Sequence, residues 1–244
     1  MMRVMMALGC LVAVSTAGAA PLSDDELRDR GYDGHIEAGF NKTSGNSDTR
    51  GYLLGIGLEQ MFGDWRNKYA LESSFKKDSG NTSEERYFVS GQSNRSFTEV
   101  HYGFGRFSFE DDRFSGLDNS ITGSGGLGYL IFDMPDYYWD VEAGPGYRYN
   151  RAQDEKGEWI GRFASGFWYD LSPTSRFRQQ LSVEGGAENI ISRSETSLTA
   201  SIIGELAMKL SFVATHQTDP AFNSDGSQKK KLDTKTMLTL LYDF

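Results

Sequence analysis

Three histidines and many serines are the residues of this 244-residue chain that could support covalent hydrolysis. A serine hydroxyl becomes a nucleophile when a histidine accepts its proton. On the strand registers assigned below, His35 and His101 point inward, whereas His216 points outward near a strand end. Its candidate partners lie on the neighbouring segment: Ser194, Glu195 and Ser197. None of these serines lies in a nucleophile motif, so we predict no catalytic residue and keep a lipid hydrolase as an alternative.

Two further patterns have the composition of ligand sites without their spacing. Gly123, Gly125, Gly126 and Gly128 resemble a nucleotide-binding loop, but they lie in an alternating segment that no helix follows. Glycines in a strand instead allow close packing or curvature. The acidic run 110–112 lacks the regular ligand spacing of a calcium loop. We predict no cofactor and no metal site.

Charged residues that alternate with apolar residues form a larger candidate group. On the assigned registers they share the inward faces of their strands: Glu37, Glu59, Lys68, Glu72, Asp140, Glu142, Arg148, Arg162, Asp170, Arg178, Glu184 and Glu205. One interpretation is that these groups pair with each other and fill the interior. The other is that they line a narrow conducting path, which the excess of carboxylates would make weakly cation-preferring.

The elements that position these residues show a period of two. In the last segment, Leu238, Leu240, Tyr242 and Phe244 share one face, and most residues between them are polar. The segment 137–150 has aromatic residues at both ends of one face and charged residues on the other. Aromatic residues at both ends of an outward apolar band are typical of membrane strands.

About twelve such segments recur along the chain. The candidate strands are 32–43, 50–62, 65–77, 85–97, 99–110, 119–132, 137–150, 158–171, 175–188, 195–206, 209–218 and 232–244. Short connections, as at 63–64 and 172–174, alternate with longer polar ones, as at 78–84 and 219–231. The tenth connection, near 207–208, has no clear turn residues. The pattern predicts an all-β fold: a single antiparallel transmembrane β-barrel with meander topology.

The first residues have the features of a secretory signal. Arg3 precedes an apolar stretch, and the small residues 17–19 form a cleavage pattern, with cleavage after Ala19 or, alternatively, Ala20. We therefore assign 1–19 to a signal peptide, 20–31 to a short periplasmic lead-in and 32–244 to the barrel. The only cysteine, Cys10, lies in the signal. No later segment has the roughly 20 apolar residues of a spanning helix.

The sequence resembles the DUF481 family of outer-membrane proteins of unknown function, sometimes described as salt-induced. The motifs that support the resemblance are 43–50 (TSGNSDTR), 112–116 (DRFSG), 142–148 (EAGPGYR), 232–234 (LDT) and 241–244 (LYDF). The resemblance covers nearly the whole mature chain. It implies location and architecture, because the family supplies no agreed substrate, catalytic residue or partner.

Charge and the chain end indicate the expected partners. Loss of residues 1–19 removes one arginine and no acid, so the net charge changes from -9 to -10, which argues against nucleic acid. Lys229, Lys230 and Lys231 lie in the last exterior loop, where they could hold lipopolysaccharide phosphates. We expect outer-membrane lipids as surroundings and the barrel-assembly machinery as a partner of the last strand, which ends in Phe244. The sequence leaves the oligomeric state open.

Overall fold

A computed structural model describes residues 24–43, 49–112, 114, 117–151, 156–220, 222 and 227–244. The predicted signal peptide lies outside these residues. Within these residues, one short helix precedes twelve strands. Their bounds are α1 Asp24–Arg30, β1 Tyr32–Thr43, β2 Thr49–Phe62, β3 Trp65–Asp78, β4 Asn81–Ser96, β5 His101–Asp112, β6 Leu117–Met134, β7 Tyr137–Asn150, β8 Lys156–Ser172, β9 Ser175–Gly186, β10 Ile190–Ile203, β11 Leu206–Gln217 and β12 Leu232–Asp243.

The strands form a closed barrel in which each strand pairs antiparallel with the next, and β12 pairs with β1. The predicted meander barrel is therefore confirmed. Closure satisfies every sheet edge, which an apolar solvent requires because it offers no hydrogen bonds. None of the helices in the described part of the chain is long and apolar enough to span a membrane.

Side chains alternate across the wall with the apolar residues outside. On β12, Leu238 and Leu240 are about half exposed on the outer surface, whereas Thr239 and Leu241 are buried inside. Aromatic residues lie on the outer surface toward both ends of the wall, for example Trp65 and Tyr169 at one end and Tyr147 and Trp159 at the other. This arrangement is the reverse of a soluble barrel and matches a wall that faces lipid.

Three predicted connections were wrong, and the one expected at 189–194 is a shorter turn at residues 187–189. The expected loop 78–84 is a two-residue turn, because Ser79 and Gly80 both have positive φ, 52° and 86°, the backbone of a tight hairpin. The tenth connection is not at 207–208 but at 204–205, where Gly204 has a φ of 54°. Glu205 lies in this turn and is exposed, so it is not part of the interior.

The glycines of β6 and β7 bring two backbones unusually close. A Cβ added to Gly144 would lie 2.1 Å from the carbonyl oxygen of Gly125, and one added to Gly126 would lie 2.1 Å from that of Ala143. The prediction that this glycine run permits close packing is confirmed. Pro145, which has no N–H to donate, is unpaired on the β6 side but pairs with Gly161 on β8, and neither register shifts there.

The chain ends meet at the seam that closes the barrel. Four residue pairs join β1 to β12, from His35 opposite Asp243 to Ala38 opposite Leu240, whereas β1 pairs with β2 along its whole length. Gly34 and Phe244 exchange backbone hydrogen bonds of 3.1 and 2.8 Å. The predicted lead-in contains α1, whose Leu27 is fully buried. Barrel closure therefore depends on a short ladder and on the interior side chains beside it.

Candidate functional site

The barrel lumen is the candidate functional site, because charged side chains converge there and are shielded from bulk water. Glu37 and Lys209 are fully buried, and Glu72 and Arg86 are nearly so. A buried charge is costly unless it has a partner of opposite charge and hydrogen bonds. The positions of these residues on the strands determine which partners they meet.

One set of ion pairs crosses the lumen. Arg86 on β4 contacts Glu72 on β3, and its Nε donates to Oε1 of Glu110 on β5 at 2.7 Å. Arg193 on β10, five strands from β5 around the wall, reaches the same Glu110 oxygen at 3.2 Å. Nζ of Lys235 on β12 lies 3.8 Å from Oε1 of Glu84 on β4. These contacts narrow the lumen.

A second set runs along the wall of β7 to β9. Arg148 donates to Oε1 of Glu158 at 2.6 Å, and its Nη1 lies 3.8 Å from Oε2 of Glu184. Arg162 lies 3.8 Å from Glu184 and 3.5 Å from Glu142. The two arginines therefore share one carboxylate, and none of these three acids is without a cation.

Glu142 also receives neutral donors from β4 and β5. Nε2 of Gln92 donates to its Oε1 at 2.6 Å, and the Tyr102 hydroxyl donates to the same oxygen at 3.1 Å. That hydroxyl also lies 2.7 Å from Oδ2 of Asp140. Glu142 thus accepts hydrogen bonds from neutral donors in addition to its contact with Arg162.

Lys209 forms buried ion pairs on the inner side of the seam. Its Nζ lies 3.3 Å from Glu37 on β1 and 3.0 Å from Glu195 on β10, so it ties together strands on both sides of the β12 junction. The Thr239 hydroxyl on β12 donates to the second Glu37 oxygen at 2.5 Å. The short backbone ladder of the seam is therefore supplemented by buried side-chain contacts.

Two smaller sets of ion pairs lie at the end of the lumen near the chain termini. Arg66 donates to Oε2 of Glu59 at 2.7 Å, while Lys68 lies 4.0 Å from the other oxygen of Glu59. Arg176 pairs with Asp170 at 2.5 Å, and its guanidinium carbon lies 4.2 Å from the ring centroid of Trp168. These contacts hold long side chains against the wall and leave space between them.

A cavity of about 280 Å³ remains in the lumen between these groups. Its lining includes Arg106, Arg162, Arg178, hydroxyl groups such as Ser108, and the indole of Trp168. Such a volume lies just below the range of small-molecule sites, roughly 300–1,000 Å³. The arrangement can hold a small polar solute, and it contains no group set in the geometry of nucleophile and base.

Most residues selected from the sequence lie on inward-facing strand positions, and only Glu205 lies elsewhere. The inward positions carry Glu37, Glu59, Lys68, Glu72, Asp140, Glu142, Arg148, Arg162, Asp170, Arg178 and Glu184. Five further inward residues were not predicted: Arg86, Arg106, Glu110, Arg193 and Lys209. The same alternation would have found four of them, whereas Arg193 precedes the predicted start of the tenth strand at 195 and lies on β10 only in the structure.

The predicted side-chain direction is wrong for one of the three histidines, His101. His35 is buried inside as expected, but His101 is exposed on the outer surface, where its ring packs 5.1 Å from that of Tyr129. His216 is exposed on the outside, opposite Ser192 on β10. Within the described residues, His216 makes no hydrogen bond to a hydroxyl group. Glu195 and Ser197 point into the lumen, away from this histidine.

The lysine cluster lies in the connection between β11 and β12. Lys230 and Lys231 are exposed, whereas Lys229 is partly buried, which lowers the pKa of its ammonium group, and its nearest acidic neighbours are Asp112 and Asp233. The Lys231 carbonyl accepts a 2.8 Å hydrogen bond from the Gln217 amide. The cluster is thus tied to the barrel rim at its last residue.

The closed meander, the apolar exterior and the polar lumen define a β-barrel of the outer-membrane type. Residues 36–244 match the family described as "Protein of unknown function, DUF481", and the chain therefore belongs to that family. It is 26% identical to the uncharacterized protein YdiY of Escherichia coli K12 in an alignment of 228 residues that covers 91% of this chain and 86% of YdiY.

Two solved structures show a similar fold. An outer-membrane channel from Pseudomonas putida F1 has a TM-score of 0.53 at 10% identity, covering 96% of this chain and all of that one. The NanC porin has a TM-score of 0.50 at 9% identity, covering 86% of this chain and 97% of that one. Identities this low indicate a shared architecture and nothing about solutes.

Proposed function

We propose that this protein resides in the bacterial outer membrane and is a narrow passive channel for small polar solutes. The observation that carries the proposal is the polar cavity of about 280 Å³ inside the lumen. A purely structural barrel gains nothing from an interior space lined by charged and hydroxyl groups, because filling it with apolar side chains would be at least as stable. The similar channel and porin architectures support the same class.

The path through the lumen runs between side chains and not through an open pore. Arg193 reaches across to Glu110, so a solute must pass beside this pair or displace it. Side-chain rotations occur in nanoseconds, fast enough for such a contact to open during passage. The expected conductance is therefore small, with brief closures.

The cation preference expected from the sequence rested on an excess of inward carboxylates. In the structure, Glu59, Glu72, Glu110 and Glu142 each contact at least one basic side chain. A carboxylate that already has a cation attracts a passing cation weakly. Because these acids are paired, the main reason to expect a cation preference is absent. Whether the channel prefers anions or cations then depends on the basic side chains of the lumen.

Single-channel recording in planar bilayers tests the proposed channel. We expect small discrete current steps from the folded wild-type barrel and larger steps from Arg193→Ala, because that change removes the side chain that crosses the lumen while Glu110 keeps Arg86. Lys77→Ala is the matched control, since Lys77 is exposed on the outer surface. Absence of steps above the detergent background in both wild type and Arg193→Ala would contradict the proposal.

The alternative functions have less support in the geometry. For a lipid hydrolase at the barrel wall, the residue to test is His216, and we expect no fatty-acid release from phospholipid or lipopolysaccharide by wild type or by His216→Ala. The reason is that a serine nucleophile requires a hydrogen-bonded base, and His216 has no such contact in the described structure. Hydrolysis by wild type that His216→Ala abolishes would establish the enzyme instead.

Contacts with the envelope remain predictions. Lipopolysaccharide binding by Lys229, Lys230 and Lys231, and recognition of the last strand by the assembly machinery, are consistent with an exposed basic loop and with Phe244 at the barrel seam. A barrel that is plugged and binds a surface partner through its exterior loops is the reading that remains if the channel is silent.

A further inference from the structure

Arg106 is a charged residue of the lumen that has no fixed partner in the described part of the chain. It lies on the inward face of β5 and lines the cavity. Among the described residues it makes neither a hydrogen bond nor an ion pair. The charged groups that act on it electrostatically are Arg162, Glu184, Glu142 and Arg193. A guanidinium group carries five donors, and leaving them without acceptors in a narrow space is unfavourable.

Two further arginines bring unpaired donors to the same cavity. Arg178 on β9 is 8% exposed, and its Nη1 has no hydrogen-bond partner in the described structure. Arg162 on β8 is 9% exposed, and its Nε likewise lacks an acceptor among the described residues. All three arginines line one space. The cavity therefore presents more guanidinium donors than the protein satisfies.

The nearby carboxylates do not compensate, because they are already engaged. Glu142 accepts from Gln92 and Tyr102, and Glu184 lies 3.8 Å from both Arg148 and Arg162. Basic and acidic side chains line the cavity in equal number, so net charge alone predicts no preference. The preference arises from the unpaired donors, which an oxyanion satisfies and a cation does not.

We propose that Arg106, Arg162 and Arg178 bind the carboxylate or phosphate group of a small polar solute in the lumen. Ser108, Gln180 and Ser182 also line the cavity and provide hydroxyl and amide groups for the remainder of a hydroxylated solute. The site deepens the proposed channel by naming its solute class, and it rests on the same cavity. A channel that contains it favours small organic anions over cations.

Calorimetric titration of the folded barrel in neutral detergent tests the site directly. Gluconate and inorganic phosphate are the two anionic probes, and choline is the cationic one. We expect saturable binding of at least one anion, no binding of choline, and affinity at least about tenfold weaker in Arg106→Gln, since that variant loses charge-assisted hydrogen bonds to the anion. Comparison of the two anions shows whether a carboxylate or a phosphate is preferred.

Two more variants keep the test independent of folding. Arg178→Gln provides the same test on another strand if Arg106→Gln does not fold, and Lys77→Gln removes a charge from the outer surface and is expected to bind like wild type. Equal affinities in wild type, Arg106→Gln and Arg178→Gln, or no saturable anion binding by wild type, would overturn the site. Anion binding by a barrel that shows no current steps would support the site and reject the channel, whereas steps without anion binding would do the reverse.

Discussion

Replacement of Lys209 with methionine is expected to lower the free energy of unfolding by about 3–5 kcal/mol. The ammonium group is fully buried and is the ion-pair partner of Glu37 and Glu195, at 3.3 and 3.0 Å. Methionine has a similar length, so the variant removes the charge without opening a large cavity. The variant leaves Glu37 and Glu195 buried near each other without their shared cation. The expected loss of stability is the cost of burying carboxylates that have lost this ion pair.

The location of Lys209 increases the expected effect. The seam between β1 and β12 has four residue pairs, and Glu37 lies at one of them, opposite Leu241. Loss of the ion pair therefore weakens the place where the barrel closes. Urea unfolding in detergent, followed by tryptophan fluorescence and by the migration of unheated samples on electrophoresis, measures the change.

Two variants make the Lys209 experiment specific. Addition of Glu37→Gln to Lys209→Met is expected to restore part of the loss, because it neutralises one of the two carboxylates that lose the Lys209 cation. Lys77→Met is the matched control and is expected to change the unfolding midpoint little, since exposed charges contribute about 0–1 kcal/mol. An unchanged midpoint in Lys209→Met would show that the buried ion pair does not stabilise the seam.

Replacement of Gly144 with alanine is the second change with a large expected effect, about 3 kcal/mol, at the upper end of the usual range for overpacking. The new Cβ would lie 2.1 Å from the carbonyl oxygen of Gly125 and 2.7 Å from Cα of Gly126. Both contacts are with backbone atoms, which cannot rotate away as a side chain does. The strands β6 and β7 must separate locally and lose ladder hydrogen bonds.

Gly123→Ala is the matched control for this change, because Gly123 lies on β6 and nothing comes within 4 Å of a Cβ built there. We expect the control to fold as well as wild type and Gly144→Ala to give a lower yield of folded barrel and a lower urea midpoint. Equal behaviour of the two variants would show that the close approach of β6 and β7 is not required.

The sequence by itself determined the class of structure and the direction of most side chains. Strand alternation has a period of two, so residues such as Glu142 and Arg148 must face the same side wherever their strand pairs. Solvent then selects which side is outside, because lipid accepts Leu240 and Tyr242 and rejects the charged face. These constraints are local, and they explain why the strands, the polar interior and the apolar exterior were predicted from the chain alone.

Turn geometry was only partly readable from the sequence. The sequence places Ser79 and Gly80 within a longer polar loop. It also predicts the tenth connection at 207–208, three residues after the turn that Gly204 begins. A positive φ at a glycine is visible in the sequence only as a possibility, since glycines are also frequent inside these strands. The placement of Glu205 in a turn depended on that choice.

Only the tertiary structure decided which inward groups meet. Arg193 and Glu110 lie 83 residues apart and on strands separated by four others, and their contact depends on closure of the barrel and on the height of each strand in the wall. The same geometry gives Lys209 two carboxylates and leaves Arg106 with none among the described residues. Which side chains meet across the lumen depends on the registers of all the strand pairs between them. A local sequence pattern therefore does not predict these contacts.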